Sequence, residues 1–261
     1  MNNAITHLSY SRISELEHSP FALKDYLEKT FNRTKAMDEG SLLDCLLFEP
    51  EKLQERFLFI PKVSKATKEG KALFEAATEA ANGRVIVTDD QLSAQKAIEA
   101  RIRANQTLIH YGLLAPYDGQ GIGFQYQTKT EFFYGGFKHI GYRDADGWDR
   151  NGNRVIWDLK KMSSRSGEHL VRSQIRTMGY DLQAAIYCHE FDSVNDPVKY
   201  YIIATDNDGC VTPFEISRDG REKARIRWNK VIKAAHQINM QPDLLDCGCE
   251  FWAGSTGFFT F

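Results

Sequence analysis

The chain has little cysteine: five in 261 residues, odd in number and scattered. A disulfide framework needs paired cysteines, so the expected setting is a reducing, cytoplasmic one. No apolar run is long enough to span a bilayer, so no membrane is expected as a partner. The first residues, MNNAITHLSYSR, lack a basic segment followed by an apolar stretch, and no secretory signal is expected. The seven histidines show no paired ligand spacing, which argues against zinc. Charge of one sign is also missing: 33 Lys and Arg stand against 35 Asp and Glu, a net of −2. That removes the global basic signature of a nucleic-acid-coating protein. Any nucleic acid would have to meet local positive charge, with metal ions offsetting the carboxylates. There is no internal repeat, low-complexity tract or clear linker.

What is present is 42% apolar residues, enough for a core, and one domain over residues 1–261 is expected. The first part, to about 115, reads as helical. Ser9 or Ser11 caps a short helix before Ser19-Pro20, and Pro20 opens the next. Gly40 to Phe48 is an apolar helix stopped near Glu49-Pro50. Thr88 to Gln91 has capping-box spacing, predicting a helix through Ile109 with Gly112 as its stop. From Gly123 to Lys160 the pattern changes to three strands separated by Gly135-Gly136 and Asn151-Gly152, an antiparallel meander. Leu170 to His189 reads as a helix, Val198 to Thr205 as a buried strand and Cys210 to Ile216 as a further strand. Arg221 to Asn239 reads as a long basic amphipathic helix. Strands, crossover helix and strand imply an α/β (α+β) core, about 120–240, behind the helical N-terminal part.

The chemistry concentrates in GYRDADGWDRNGNRVIWDLK, residues 141–160. Val155, Trp157 and Leu159 alternate with Ile156, Asp158 and Lys160, so Asp158 and Lys160 share a strand face. With Asp144 beside them, two carboxylates and an ammonium converge. Carboxylates hold a hard cation such as Mg²⁺, and the lysine positions or activates water for attack on a phosphodiester. A D-x-K triplet alone also describes a hairpin with a surface salt bridge. Downstream, in MGYDLQAAIY, Tyr180, Gln183 and Tyr187 follow at helical spacing on one face, beside the small Ala184 and Ala185.

Asp144, Asp158-Leu159-Lys160 and Gln183 with Tyr187 four residues later resemble the PD-(D/E)xK nuclease core with the Q-x-x-x-Y helix of RecB-type nucleases. The strings LSYSRISELEHSP and GSLLDCLLFEPEKLQERF are similar to the N-terminal part of exodeoxyribonuclease VIII, the RecE-type exonucleases. The resemblance runs in patches from Leu8 to about Thr205. It implies a restriction-endonuclease-like core: a mixed β-sheet flanked by helices. It implies a Mg²⁺-dependent exonuclease, with Mn²⁺ able to substitute, acting 5′ to 3′ on double-stranded DNA in recombination. A single-strand annealing recombinase as partner, a ring-shaped homo-oligomer and a phage or prophage origin come with it. Asp144 and Asp158 would ligate metal, with the Leu159 carbonyl a further ligand. Lys160 would assist the attacking water or the developing phosphorane charge. Gln183 and Tyr187 would brace the site or touch the DNA backbone.

Where the family carries a histidine four residues after a glycine, Gly40 is followed by Asp44. The carboxylate is a harder ligand for Mg²⁺ but a shorter one. The site is then altered but working, or weakened; the presence of Asp158, Lys160, Gln183 and Tyr187 favours the former. Asp146 rivals Asp144, and Glu131 is a weaker further acid. Lys160, Lys161, Arg165, Arg172 and Arg176 form a local basic stretch that could neutralise phosphates or simply be solvated. Trp228, Arg225 and Lys233 read as packing plus solvated charge. Cys247 and Cys249, with Cys45, lack the four-thiolate spacing of an iron–sulfur clasp, so no cluster is expected. Two other readings stay open: a structure-specific or CRISPR-adaptation nuclease of the same fold, and a non-catalytic DNA-binding or assembly module.

Overall fold

The computed structural model describes residues 5–30, 33–64, 66–116, 123–162, 168–192, 198–248 and 250–253. A short strand β1 (His7–Leu8) leads into helices α1 (Tyr10–His18) and α2 (Pro20–Glu28). Ser9 and Ser19 each accept a backbone N–H of the following turn, and Pro20 fills the first position of α2. Helix α3 (Lys35–Phe48) starts five residues before the expected Gly40, at a Thr34 cap. A 3₁₀ turn, α4 (Leu53–Arg56), β2 (Phe57–Ile60), α5 (Lys68–Ala81) and β3 (Val85–Thr88) follow. The parallel pair β2–β3 is an addition to the mostly helical expectation for this part. Its strands, FLFI and VIVT, are too short to show a period.

The Thr88 capping box opens α6 (Asp89–Arg103) as expected. The run to Gly112 is nevertheless two helices, because Asn105 caps a new one, α7 (Gln106–Tyr111). The meander comes next: β4 (Gly123–Tyr134), β5 (Phe137–Trp148) and β6 (Arg154–Lys161). The expected single helix after it is also two, α8 (Glu168–Thr177) and α9 (Tyr180–Cys188), broken at Gly179, whose φ is 66°. Strands β7 (Lys199–Thr205) and β8 (Val211–Ile216), the long α10 (Arg218–Met240), a 3₁₀ turn and α11 (Glu250–Ala253) complete the described chain.

The main sheet runs β4–β5–β6–β7–β8 and is mixed: β6 and β7 are parallel, their neighbours antiparallel. The β6–α8–α9–β7 connection is the crossover that a parallel pair requires. Strand β1 adds in parallel at Lys138 and His139 of β5. Helices cover both faces. On one side Ile156, Tyr200 and Ile202 pack with α1, α9 and α10, around a fully buried Trp228. On the other, Val155, Trp157, Leu159 and Ile203 pack with α3, α6 and α7. A smaller cluster joins α3 to the β2–β3 pair. Among the described residues no helix is long and apolar enough to cross a membrane.

Candidate active site

The site forms where the sheet forks. Strand β5 pairs with β6 only from Trp148 back to Ala145, opposite Trp157. At the next position a side chain takes over from the ladder: Asp144 Oδ2 accepts the Leu159 N–H at 2.8 Å. The alternation of β6 does the rest. Trp157 and Leu159 go into the α3 side of the core, and Asp158 and Lys160 go to the other face, where Lys160 Nζ forms an ion pair with Asp158 Oδ2.

Helix α9 packs on that face through its alanines, so Gln183 reaches the sheet and its Nε2 donates to Asp158 Oδ1 at 3.0 Å. Tyr187, one turn on, is buried against β5. A Cβ on Gly141 would stand 2.9 Å from its Cε1, so the close approach requires a residue without one. At the start of α9, the Tyr180 ring centroid lies 5.0 Å from Lys160 Nζ. Tyr10 of α1 donates its hydroxyl to Met178 O at the α8–α9 break. Sequence reasoning missed Tyr10, because its proximity depends on how α1 docks and no local pattern encodes that.

Asp44 arrives from α3. Phe48 of that helix packs edge-on against Trp157, ring centroids 5.2 Å apart, and stacks on Tyr126 at the same separation. Trp157 is fully buried, and losing such a side chain costs about 3–5 kcal/mol. Glu39, five residues before Asp44, pairs with Lys161 and with Lys35.

The electrostatics follow from this crowding. Burial, then the Asp158 charge, pushes the Asp44 carboxyl up to about 7. Burial, then Asp158 and Asp44, raises Asp144 well above the usual carboxylate range. Lys160 would be lowered by burial alone; Asp158 and Asp144 overcome that and raise it, so it is an ammonium. Three carboxylates within each other's field, in a low-dielectric site, call for a cation. Asp158 Oδ2 meets the Lys160 ammonium, and Gln183 Oε1 is buried without a hydrogen-bond partner. Oxygen donors and an acceptor left over fit a hard divalent ion. Among the described residues, no three His, Cys, Asp or Glu side chains are already closed around one point as a metal cage. Lys160 and Gln183 hold the Asp158 carboxylate instead.

Other candidates lie elsewhere. Asp146 is committed to Arg143 at 3.0 Å and Arg154 at 2.7 Å, buried salt bridges that take it out of the site. Glu131 pairs with Lys129 and Lys138. Of the basic stretch, Lys160 and Lys161 are held by Asp158 and Glu39, Arg172 pairs with Glu168, and Arg165 lies outside the described residues. Cys249 also lies outside them, while Cys45 is buried in α3 and donates to Glu49 O. Arg225 pairs with Glu222 and approaches Asp192.

A mixed sheet with an Asp at the fork, a D-x-K strand and a glutamine helix crossing it defines a PD-(D/E)xK-like protein. The chain belongs to the family described as the PDDEXK-like domain of unknown function (DUF3799), which matches residues 9–240. The fold is similar to that of the crystal structure of a protein named as a putative exonuclease, from Eubacterium rectale. The TM-score is 0.58 at 15% identity, over 89% of this chain and 81% of that one. A second structure, of SSO0001, covers 95% of this chain and 92% of its own at 13% identity, but its TM-score of 0.32 bears no weight. No curated protein matches this sequence.

Proposed function

We propose that this chain is a divalent-metal-dependent DNA nuclease, acting as an exonuclease on duplex ends. The observation that carries this reading is the convergence of Asp144, Asp158, Lys160 and Gln183 at the sheet fork, with Asp44 facing them from α3. The name of the Eubacterium rectale protein of similar fold, a putative exonuclease, agrees with it. Asp44, Asp144, Asp158 and the Leu159 carbonyl would hold Mg²⁺ or Mn²⁺. A bound ion would supply Lewis-acid stabilisation and an activated water. The ion would also take the Asp158 oxygen now facing Lys160. Lys160 enters as an ammonium, so its part is to orient the attacking water and balance negative charge on the phosphorane as the phosphorus–oxygen bond breaks. Gln183 holds Asp158 in place, and Tyr187, being buried, braces the helix.

The RecE-type resemblance extends the proposal to 5′-to-3′ digestion in recombination, a single-strand annealing partner, a ring of subunits around the duplex and a phage origin. A second reading has one observation of its own: the Lys160–Asp158 ion pair satisfies the site without an ion, as a non-catalytic DNA-binding module would. An end-labelled duplex incubated with the protein, with Mg²⁺ or with EDTA, separates the two. Mg²⁺-dependent loss of label that disappears in Asp158→Ala supports the nuclease. No cleavage under either condition supports the module.

A further inference from the structure

Lys160 meets two side chains of different kind. Its ammonium pairs with Asp158 Oδ2 and also stands over the Tyr180 ring, 5.0 Å from the centroid. The carboxylate is a charged group that the nuclease reading gives a second task. The ring carries no charge and stays where α9 puts it. We propose that Tyr180 is the positioning residue of Lys160: its ring face keeps the ammonium in place for the scissile phosphodiester when the Asp158 carboxylate no longer holds it. The inference rests on the nuclease reading above and gives a role there to a side chain that has none yet.

The place of the ring is built into the fold. Tyr180 is the first residue of α9, directly after Gly179, whose φ of 66° breaks the helical run. Tyr10 of α1 donates its hydroxyl to Met178 O, so a second helix pins the break. A Cβ on Gly179 would stand 3.5 Å from that hydroxyl oxygen, which puts Tyr10 against the turn itself. Burial raises the pKa of the Tyr10 and Tyr180 hydroxyls, and of the charged groups around them Lys160 acts most strongly on each. The two tyrosines and the lysine are therefore one cluster. Three residues after Tyr180, Gln183 donates to Asp158. One side of α9 thus carries a partner for each member of the Asp158–Lys160 pair.

The advantage of a ring follows from charge. A lysine is a point charge on a flexible stem, and unless held its ammonium samples many positions. A further carboxylate would hold it, but would cancel the charge that meets the phosphorane and would join three acids already crowded together. An aromatic face attracts an ammonium through its quadrupole and adds no charge. That attraction belongs to the ring and not to the hydroxyl, so phenylalanine should replace Tyr180 and leucine should not.

The test has two arms, run on wild type, Tyr180→Phe and Tyr180→Leu, with melts to show all three folded. The first is the NMR position of the Lys160 ε-methylene in ¹³C-lysine-labelled protein in EDTA, assigned by its absence from Lys160→Arg. A ring face shifts it upfield; Tyr180→Phe should keep that shift and Tyr180→Leu should lose it. The second is single-turnover cleavage of an end-labelled duplex in Mg²⁺. The maximal rate should be kept in Tyr180→Phe and fall about tenfold in Tyr180→Leu, with half-saturation by the duplex unchanged. An unshifted resonance in the wild type, or an equal loss of rate in Tyr180→Phe, overturns the proposal. So does a change in half-saturation with the rate intact, which would make Tyr180 a DNA contact. Cleavage by the wild type with Tyr180→Leu unimpaired keeps the nuclease and rejects the tyrosine. A duplex left whole by the wild type in Mg²⁺ and Mn²⁺, with the shift lost in Tyr180→Leu, rejects the nuclease and keeps the ring as the holder of the lysine.

Discussion

Gln183 Nε2 donates to Asp158 Oδ1 at 3.0 Å, and this bond ties the crossover helix to the strand that carries the acid and the lysine. Helix α9 thus sets the angle of the carboxylate as well as covering the sheet. The Oε1 of the same amide is buried without a hydrogen-bond partner.

Asp158→Ala and Lys160→Ala should each reduce Mg²⁺-dependent hydrolysis by a factor of about 10² or more, at ~1.4 kcal/mol per tenfold. Circular dichroism melts should show both variants folded. Full activity in Asp158→Ala would remove the metal-site reading.

Asp44 gives a prediction of opposite signs. Its carboxyl is raised from 3.8 to about 7, burial first and Asp158 second, so the protonated form suits the metal-free fold. The associated stability is present below the unfolded value and drains away as pH rises through about 7. Asp44→Asn should therefore melt higher than the wild type at pH 8 in EDTA, yet bind Mg²⁺ more weakly by calorimetric titration. Asp44→His should retain activity and shift preference toward Mn²⁺. A metal titration unchanged in Asp44→Asn returns the residue to a structural role.

Gly141→Ala would drive a methyl into Tyr187, 2.9 Å from its Cε1 and 3.2 Å from its hydroxyl. Overpacking of this kind costs about 1–3 kcal/mol. Because Tyr187 and Gln183 share a helix face, activity should fall more than the melting temperature alone explains. Tyr187→Phe in the same background, which removes only the oxygen, should recover little of the loss.

His139 predicts an acid limit. Its Nε2 accepts from Trp228 Nε1 at 3.2 Å and its Nδ1 faces Phe137 O at 3.1 Å, which requires the neutral Nδ1–H ring. Burial lowers its pKa from 6.5 to about 4. Stability is then full above 6.5 and falls as pH drops toward 4. Denaturant melts between pH 7 and 4 should show that fall, reduced in His139→Gln.

Mass in solution by light scattering, with a trap-challenged digestion, tests the ring. A closed oligomer should digest processively; a monomer that releases DNA after each cut would rule the ring out and leave the nuclease standing.

Much of this was legible in the chain. Asn151-Gly152 placed the hairpin, and the two-residue period put Asp158 and Lys160 together on β6, because both signals are local. Asn105 and Gly179 were not read as breaks, since each sits inside an otherwise continuous helical pattern. The choice between Asp144 and Asp146 needed tertiary partners: Arg143 and Arg154 claim Asp146, and no spacing along the chain foretells that. Tyr10 was invisible for the same reason, its contact with Met178 joining segments far apart in sequence.

The carboxylate that closes the fork has one more implication, for reading this chain's relatives. The Asp144 side chain replaces a rung of the sheet at Leu159, whereas among the described residues the side chains of Lys160 and Asp44 hold no main-chain group. A descendant that lost the chemistry could drop the lysine or the helix acid at little architectural cost and would still keep the aspartate to tie its strands. Presence of that aspartate in a homologue is therefore weak testimony to a living enzyme; the lysine two residues past the second acid is the better witness.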